Sequence, residues 1–593
     1  MKKREQIPNE YKWDLSSYYS SEKDYENDYN FVENNYKKLS DFQNKLNNKN
    51  DILNCFELDE KISRKLEKLY VFASLETKQD MTNQNAQKRL KKLEKLSVDI
   101  SEVSSYITPE LCELSDDFLL QLANDADFKN YDLVLKDIIK DKKYMLSKKE
   151  ERILALTSEF SGEFSDIFDM FDNADIKFEK IKNSKGEEFE LNNSVYYMYI
   201  QSPDRELRKN AMIGINGTYG KLNHMISANY MGNVKSDWFY SKIRGFSSCL
   251  ENALHEEEVS KDVYDTLVNS VNNNLPVFHR FFDLKRKVLG YEMFANYDIH
   301  AHTSQSDEKY DYDAAFELVK KALSVLGEDY IQTLDEAKQK RWIDVFANEG
   351  KDTGAFSWGC YDANPVVLLN HEDTIGCVFT LAHELGHMMH SYYSNKNQVY
   401  QKAGYEIFVA EVASTVNEML LDLHLLNNAQ TKQQKLFYLD YLLKMFYSTV
   451  FRQTMFAEFE QKVHDRYEKG GDTTADALNE LYYDLNKTYF GDKVELVDEI
   501  KYEWSRIPHF YNSFYVYKYA TGLISAFFIA NKIVAGKKQD IDAYRKFLTL
   551  GSTLPPVELL KVAGVDLSDK KTFDYVFEKL GELLDEYKTL IGE

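Results

Sequence analysis

Along most of this chain apolar residues recur at the three-to-four residue spacing of an amphipathic helix. The last such stretch is the plainest: Phe573, Val576, Phe577, Leu580, Leu583 and Leu584 line one face, and Ser568 just upstream is placed to cap it. The predicted fold class is mainly α. Two stretches break the period. From Asp175 to Leu191, Ile176 and Phe178 and then Phe189 and Leu191 alternate around Asn183-Ser184-Lys185-Gly186, which predicts a β-hairpin. From Gly354 to Asn370, Gly359, Asn364 and Pro365 punctuate short apolar runs ending in Val366-Val367-Leu368-Leu369, which predicts a small sheet. No internal repeat or low-complexity tract is present. A division near residue 195 separates an N-terminal helical region, 1–195, ending in the hairpin, from a catalytic region, 196–593. No Pro/Ser-rich linker marks the division, so the two parts are expected to share an extensive interface.

With 593 residues, 43% of them hydrophobic, and only 24 Gly and 8 Pro, the chain can bury a large core and is too poor in helix breakers for a disordered or linker-rich protein. Acidic residues outnumber Lys and Arg by 97 to 74, a net charge of -23 that argues against nucleic acid as a partner, because phosphate backbones are bound through cations. The five cysteines (Cys55, Cys112, Cys249, Cys360, Cys377) are odd in number, far apart and free of any C-x-x-C pair. Reduced thiols in a cytoplasmic protein are expected. The basic N-terminal residues are followed by no apolar leader, and the most apolar late stretch, Leu523 to Gly536, is interrupted by Asn531 and Lys532. Neither export nor a membrane span is expected.

The chemistry concentrates in His383-Glu384-Leu385-Gly386-His387, an H-E-x-x-H pattern. On a helix, residues i and i+4 lie one above the other, so both imidazoles can reach one Zn2+ ion, while residue i+1 is turned by roughly 100°. That places Glu384 beside the open position of the metal, as general base for a water whose acidity the metal raises. Thr374 to Ala382 are apolar and helix-compatible, as the motif requires. A metzincin would need glycine at position 390 and histidine at 393, where this chain has His390 and Tyr393. The third ligand is therefore sought among Glu406, Glu411 and Glu418. Only Glu411 has small neighbours (Ala410, Ala413, Ser414) that let a second helix approach closely. Glu406 follows Gly404-Tyr405 at the expected helix start and reads as a solvated first-turn acid. Glu418, seven residues after Glu411 on the same face, is placed to orient an imidazole. His390 could be a fourth ligand, a hydrogen-bond partner of a ligand, or a packed core histidine. A catalytic zinc keeps one position open, which favours the last two.

At this point the chain resembles a known family. FTLAHELGHMMHSYY, followed 24 residues after His387 by Glu411 in FVAEVASTVNEML, is similar to the thimet oligopeptidase family, and most closely to its bacterial oligoendopeptidase F branch. YKWDLSSYY, GCYDANPVVLLN, FRQTMFAEFE and RIPHFYNSFYVYKYATG extend the resemblance over nearly the whole chain. It implies a large helical ellipsoid split by a deep substrate channel, a small β-sheet beside the H-E-x-x-H helix, one zinc at the channel floor, and short peptides as substrates. It also implies that a His and Tyr of the aromatic loop stabilise the oxyanion, here His509 with Tyr511 and Tyr517; Tyr515 competes for that role. By composition alone a Tyr-rich run in a chain with 42 tyrosines reads more often as packing. By the resemblance the strand Val366 to Asn370 would offer its edge to an extended substrate, while its periodicity reads equally as an ordinary buried strand, and His371 just after it is expected at the surface.

No G-x-S-x-G elbow, P-loop or dinucleotide fingerprint is present, which leaves metal-assisted peptide hydrolysis as the expected activity. Within the same family the alternative is a zinc dipeptidyl carboxypeptidase or other exopeptidase. From another class it is an inactive peptide-binding protein, against which the intact Glu384 argues.

Overall fold

The chain was analysed as a computed structural model that describes residues 2–304 and 308–593. It is mainly helical, and its strands are short: β1 (Ile181–Lys182), β2 (Glu188–Phe189), β3 (Phe294–Ala295), β4 (Ile343–Asp344), β5 (Phe356–Cys360), β6 (Ala363–Leu368) and β7 (Val494–Glu495). Helix starts follow local chemistry. Asn48 caps Lys49–Gln79, Ser147 forms a capping box with Glu150, and Thr374 accepts from the Cys377 amide to open Ile375–Asn397. The final helix, Lys570–Ile591, buries Phe573, Val576, Phe577, Leu580 and Leu584, as its pattern predicts. Its cap is Asp569, one residue past the expected Ser568, whose hydroxyl instead bonds Asp566.

Two compact units are each assembled from three stretches of chain. The first comprises Met1–Tyr144, Glu308–Leu421 and Ile529–Gly564. Its sheet has the order β4-β6-β5, with β6 parallel to β4 and antiparallel to β5. β6 is thus the central strand. The Val367 amide donates to Trp342 and that of Leu369 to Asp344, so the predicted strand Val366 to Asn370 has no free edge for a peptide. The N-terminal segment straps the outer side of this sheet. Arg4 lies 2.5 Å from the buried Asp344 of β4, which also accepts from the Trp13 amide and pairs at 2.7 Å with the buried Lys351. His371, expected at the surface, is buried: its Nε2 lies 3.0 Å from the Tyr310 carbonyl and its ring packs on Tyr312 and Phe346.

The second unit comprises Met145–Asp307, Asp422–Phe528 and Val565–Glu593. The predicted hairpin is present in short form, β1 antiparallel to β2 about a turn in which Gly186 takes φ +80°. Ile181 and Leu191 sink into a cluster with Phe171, Tyr196 and Tyr219, and Ile176, Phe178 and Phe189 pack against it.

Candidate metal centre and active site

His383 and His387 project from one face of the helix Ile375–Asn397, with their Nε2 atoms 3.1 Å apart. Glu411, in the first turns of the helix Ile407–Asn428, brings Oε2 to 3.6 Å from His383 Nε2 and Oε1 to 3.8 Å from His387 Nε2. The ligand atoms all lie within 4.8 Å of one another, and they are the one such cluster among the described residues. Separations of this size suit an ion about 2.1 Å from each donor, for which tetrahedral edges are about 3.4 Å.

The two helices meet because of Gly386, the second variable residue of the motif. A Cβ built there would lie 2.5 Å from Ser414 Cα and 2.8 Å from the Ala413 carbonyl oxygen. Small residues on both sides of the seam set the distance that Glu411 must bridge. Hydrogen bonds fix the register: Asn417 donates to the Ala382 carbonyl at 3.1 Å, and Tyr330 donates to Asn417 at 3.3 Å. The role of Gly386 was detectable only as a small residue facing another small-residue patch, and it was missed.

Glu418 lies 2.6 Å from His383 Nδ1, the orienting contact its spacing predicts. With Nδ1 donating to the carboxylate, Nε2 presents its lone pair to the cluster. Burial alone would lower the pKa of His383, but the bond to Glu418 and the charges of Glu418, Glu384 and Glu411 override it and raise the value to about 9. Such a field holds positive charge strongly, and a metal cation can displace the proton it favours. His387 feels burial and the charge of His383, which push it down to about 3 and leave it neutral, as a ligand must be. In charge and donor type the residues fit a divalent zinc.

Glu384 is buried and stands outside the ligand set, as its position in the motif requires. Burial raises its pKa to about 7, against the attraction of His383; the Ser357 amide of β5 also acts to lower it. Glu406 is exposed and immediately precedes its helix, the solvated position expected of it. His390 is not among the clustered donors. It is 1% exposed and stacks on Tyr405 at 3.7 Å and 12°, a core histidine.

In the second unit the aromatic loop sorts its tyrosines. His509 Nε2 lies 3.2 Å from the Tyr519 hydroxyl, and Tyr515 stacks with His509 and packs edge-on against Tyr519. Tyr511 stacks on Phe168, and its hydroxyl accepts from Asn229 at 3.1 Å. Tyr517 is 1% exposed and donates to Glu257 at 2.8 Å.

Comparison with known proteins agrees with this chemistry. The model of "Peptidase family M3" matches residues 198–578, and that of "Oligopeptidase F" matches 110–178. Oligopeptidase PepF of Bacillus subtilis is 37% identical across 99% of this chain and 88% of its own length. The group B oligopeptidase PepB of Streptococcus agalactiae is 36% identical across 100% of this chain and 98% of its own. Among solved structures, oligoendopeptidase-F from Enterococcus faecium superposes with a TM-score of 0.73 at 30% identity, covering 96% of this chain and 99% of that one. The chain, with its H-E-x-x-H helix and the glutamate drawn against it, therefore belongs to peptidase family M3, in the oligopeptidase F branch.

Proposed function

We propose that this peptidase is a zinc-dependent endopeptidase that cleaves internal bonds of short peptides, with His383, His387 and Glu411 holding the metal and Glu384 as general base. The observation that carries this reading is the convergence of the three donors beside a buried carboxylate that is not itself a ligand. Zinc in such a set supplies Lewis acidity, polarising the scissile carbonyl and making water a competent nucleophile near neutral pH. Glu384 accepts the proton from the attacking water and passes it to the leaving amine, a shuttle suited to a carboxyl whose pKa lies near 7. Glu418 keeps His383 in the tautomer that binds.

An extended substrate would lie along β5. Because the Val367 amide turns toward β4, its antiparallel partner Ser357 directs its own N–H and C=O away from β6. The backbone edge beside Glu384 is thus that of Phe356–Cys360, and pairing through backbone atoms tolerates many side chains. For the oxyanion, His509 and Tyr511 remain proposed donors. Tyr517, whose hydroxyl also bonds Glu257, is the third proposed donor, and Tyr515, stacked with His509, competes for that role.

The test is digestion of short peptides blocked at both termini, with and without a chelator, read by mass spectrometry. Internal cleavage that stops on chelation and returns with zinc is expected. Cleavage only of peptides with a free terminus would make the enzyme an exopeptidase, and chelator-resistant cleavage would remove the metal.

A further inference from the structure

Within the second unit lies a cavity of about 150 Å³ that the peptidase reading does not use. Two motifs noted in the sequence, FRQTMFAEFE and RIPHFYNSFYVYKYATG, contribute Arg452, Gln453 and Arg506 to its walls. Arg452 follows a single π-helical turn, Tyr447–Phe451, an irregularity that helices often carry at functional sites.

The charges around the cavity do not balance. Arg452 and Arg506 both donate to Glu503 Oε1, at 2.9 and 3.2 Å, and Tyr482 donates to Oε2 at 2.6 Å. One carboxylate thus serves two guanidiniums, and among the described residues neither forms an ion pair with any other carboxylate. Polar atoms are left over as well. Asn296 is 2% exposed with neither amide atom hydrogen-bonded, and Arg506 Nε, Gln453 Oε1 and Asn486 Oδ1 are buried without a partner. An unpaired buried charge or polar group costs of order 1–3 kcal/mol or more, so such groups persist where something else satisfies them.

We propose that this cavity binds a small carboxylate anion bearing a hydroxyl or N–H beside the carboxylate. The anion balances the second guanidinium, whose planar fork matches a carboxylate. The neighbouring donor serves Gln453 Oε1. At about 30 Å³ per water the cavity accommodates about five water-sized groups, enough for a molecule the size of glycolate. A phosphate would bring nearly two negative charges to an excess of one.

The site is tested by thermal unfolding of the zinc-loaded enzyme titrated with glycolate, with glycolamide as neutral isostere and with chloride and phosphate at matched ionic strength. The series is repeated on metal-free protein, so that binding at the metal centre is separated from binding here. Glycolate is expected to raise Tm saturably in both forms, and glycolamide and chloride are not. Arg506→Gln and, leaving the ion pairs intact, Gln453→Leu should each raise the half-saturating concentration at least about tenfold, a loss of about 1.4 kcal/mol. Equal shifts with glycolamide, chloride or phosphate, loss of the effect on metal removal, or unchanged titrations in both variants would overturn the assignment.

Discussion

Replacing Gly386 by alanine puts a methyl group into the seam that holds the metal centre together. The new carbon would stand 2.5 Å from Ser414 Cα, where unstrained carbons sit about 3.5–4.0 Å apart, so the helices must separate by about 1 Å. Glu411 lies one turn before Ser414 on the displaced helix and moves with it, away from imidazoles that stay with the other. Overpacking of this kind costs about 1–3 kcal/mol, while alanine gains up to about 1 kcal/mol over glycine in helix propensity. Stability alone is therefore a weak readout, and zinc content after dialysis and kcat/KM are the measurements that decide. A 1 Å misplacement of a catalytic group costs on the order of 10²-fold, so kcat/KM should fall by about that factor with metal partly lost. Gly581→Ala is the control. It lies in the last helix with nothing within 4 Å of an added Cβ, and should leave activity unchanged and stabilise by about 0.5–1 kcal/mol. If Gly386→Ala retains zinc and full activity, the seam does not set the ligand geometry.

Glu384→Gln should keep bound zinc and lose at least about 10²- to 10⁴-fold in kcat, checked by metal analysis beside the assay. Glu411→Ala should lose zinc on dialysis whereas Glu406→Ala should not; the reverse pattern would mean the wrong glutamate has been assigned. Glu418→Gln should weaken zinc affinity by about 10- to 100-fold, measured by competition with a chromogenic chelator. Glu460 is buried, and burial raises its pKa from 4.5 to about 8 against the pull of His464. The folded state thus holds a proton that the unfolded chain releases above pH 4.5, and stability falls as pH rises from there to about 8. Glu460→Gln should flatten that decline, so its gain in Tm is larger at pH 8 than at pH 5; equal gains at both would show that Glu460 does not titrate there.

The His-His-Glu cluster was legible because its determinants are local. H-E-x-x-H spacing places two imidazoles and a base by helical geometry alone, and Ala410, Ala413 and Ser414 mark a close helix seam before any partner is known. What escaped depends on residues far away in the chain. β4 is two residues long and carries no periodic signal, so nothing near Val366 indicates that it covers that strand. His371 is buried by Tyr310, Tyr312 and Phe346, brought together only by the fold. In the aromatic loop, spacing could not tell Tyr515 from Tyr517, because their surroundings differ through Glu257, some 260 residues upstream of Tyr517. At the last helix Ser568 and Asp569 are equally good caps by residue type, but the Ser568 hydroxyl is bonded to Asp566 and Asp569 accepts from the Lys571 amide. The two units could not be found by scanning for linkers, since each is built from three separated stretches.

That interleaving has a consequence for biosynthesis. The unit that carries the His383, His387 and Glu411 cluster needs Met1–Tyr144, Glu308–Leu421 and Ile529–Gly564, so it is complete only once Gly564 has been made. At about 5–20 residues per second, translation reaches that point after about half a minute to two minutes. The strap at Arg4 and Trp13 has no partner until Asp344 is made, and a nascent chain stalled anywhere before the last stretch exposes apolar helix faces with no mate. Folding that begins at the N-terminus and proceeds unit by unit is closed to this topology, and the ribosome-bound chain is the form in which it is most exposed to aggregation.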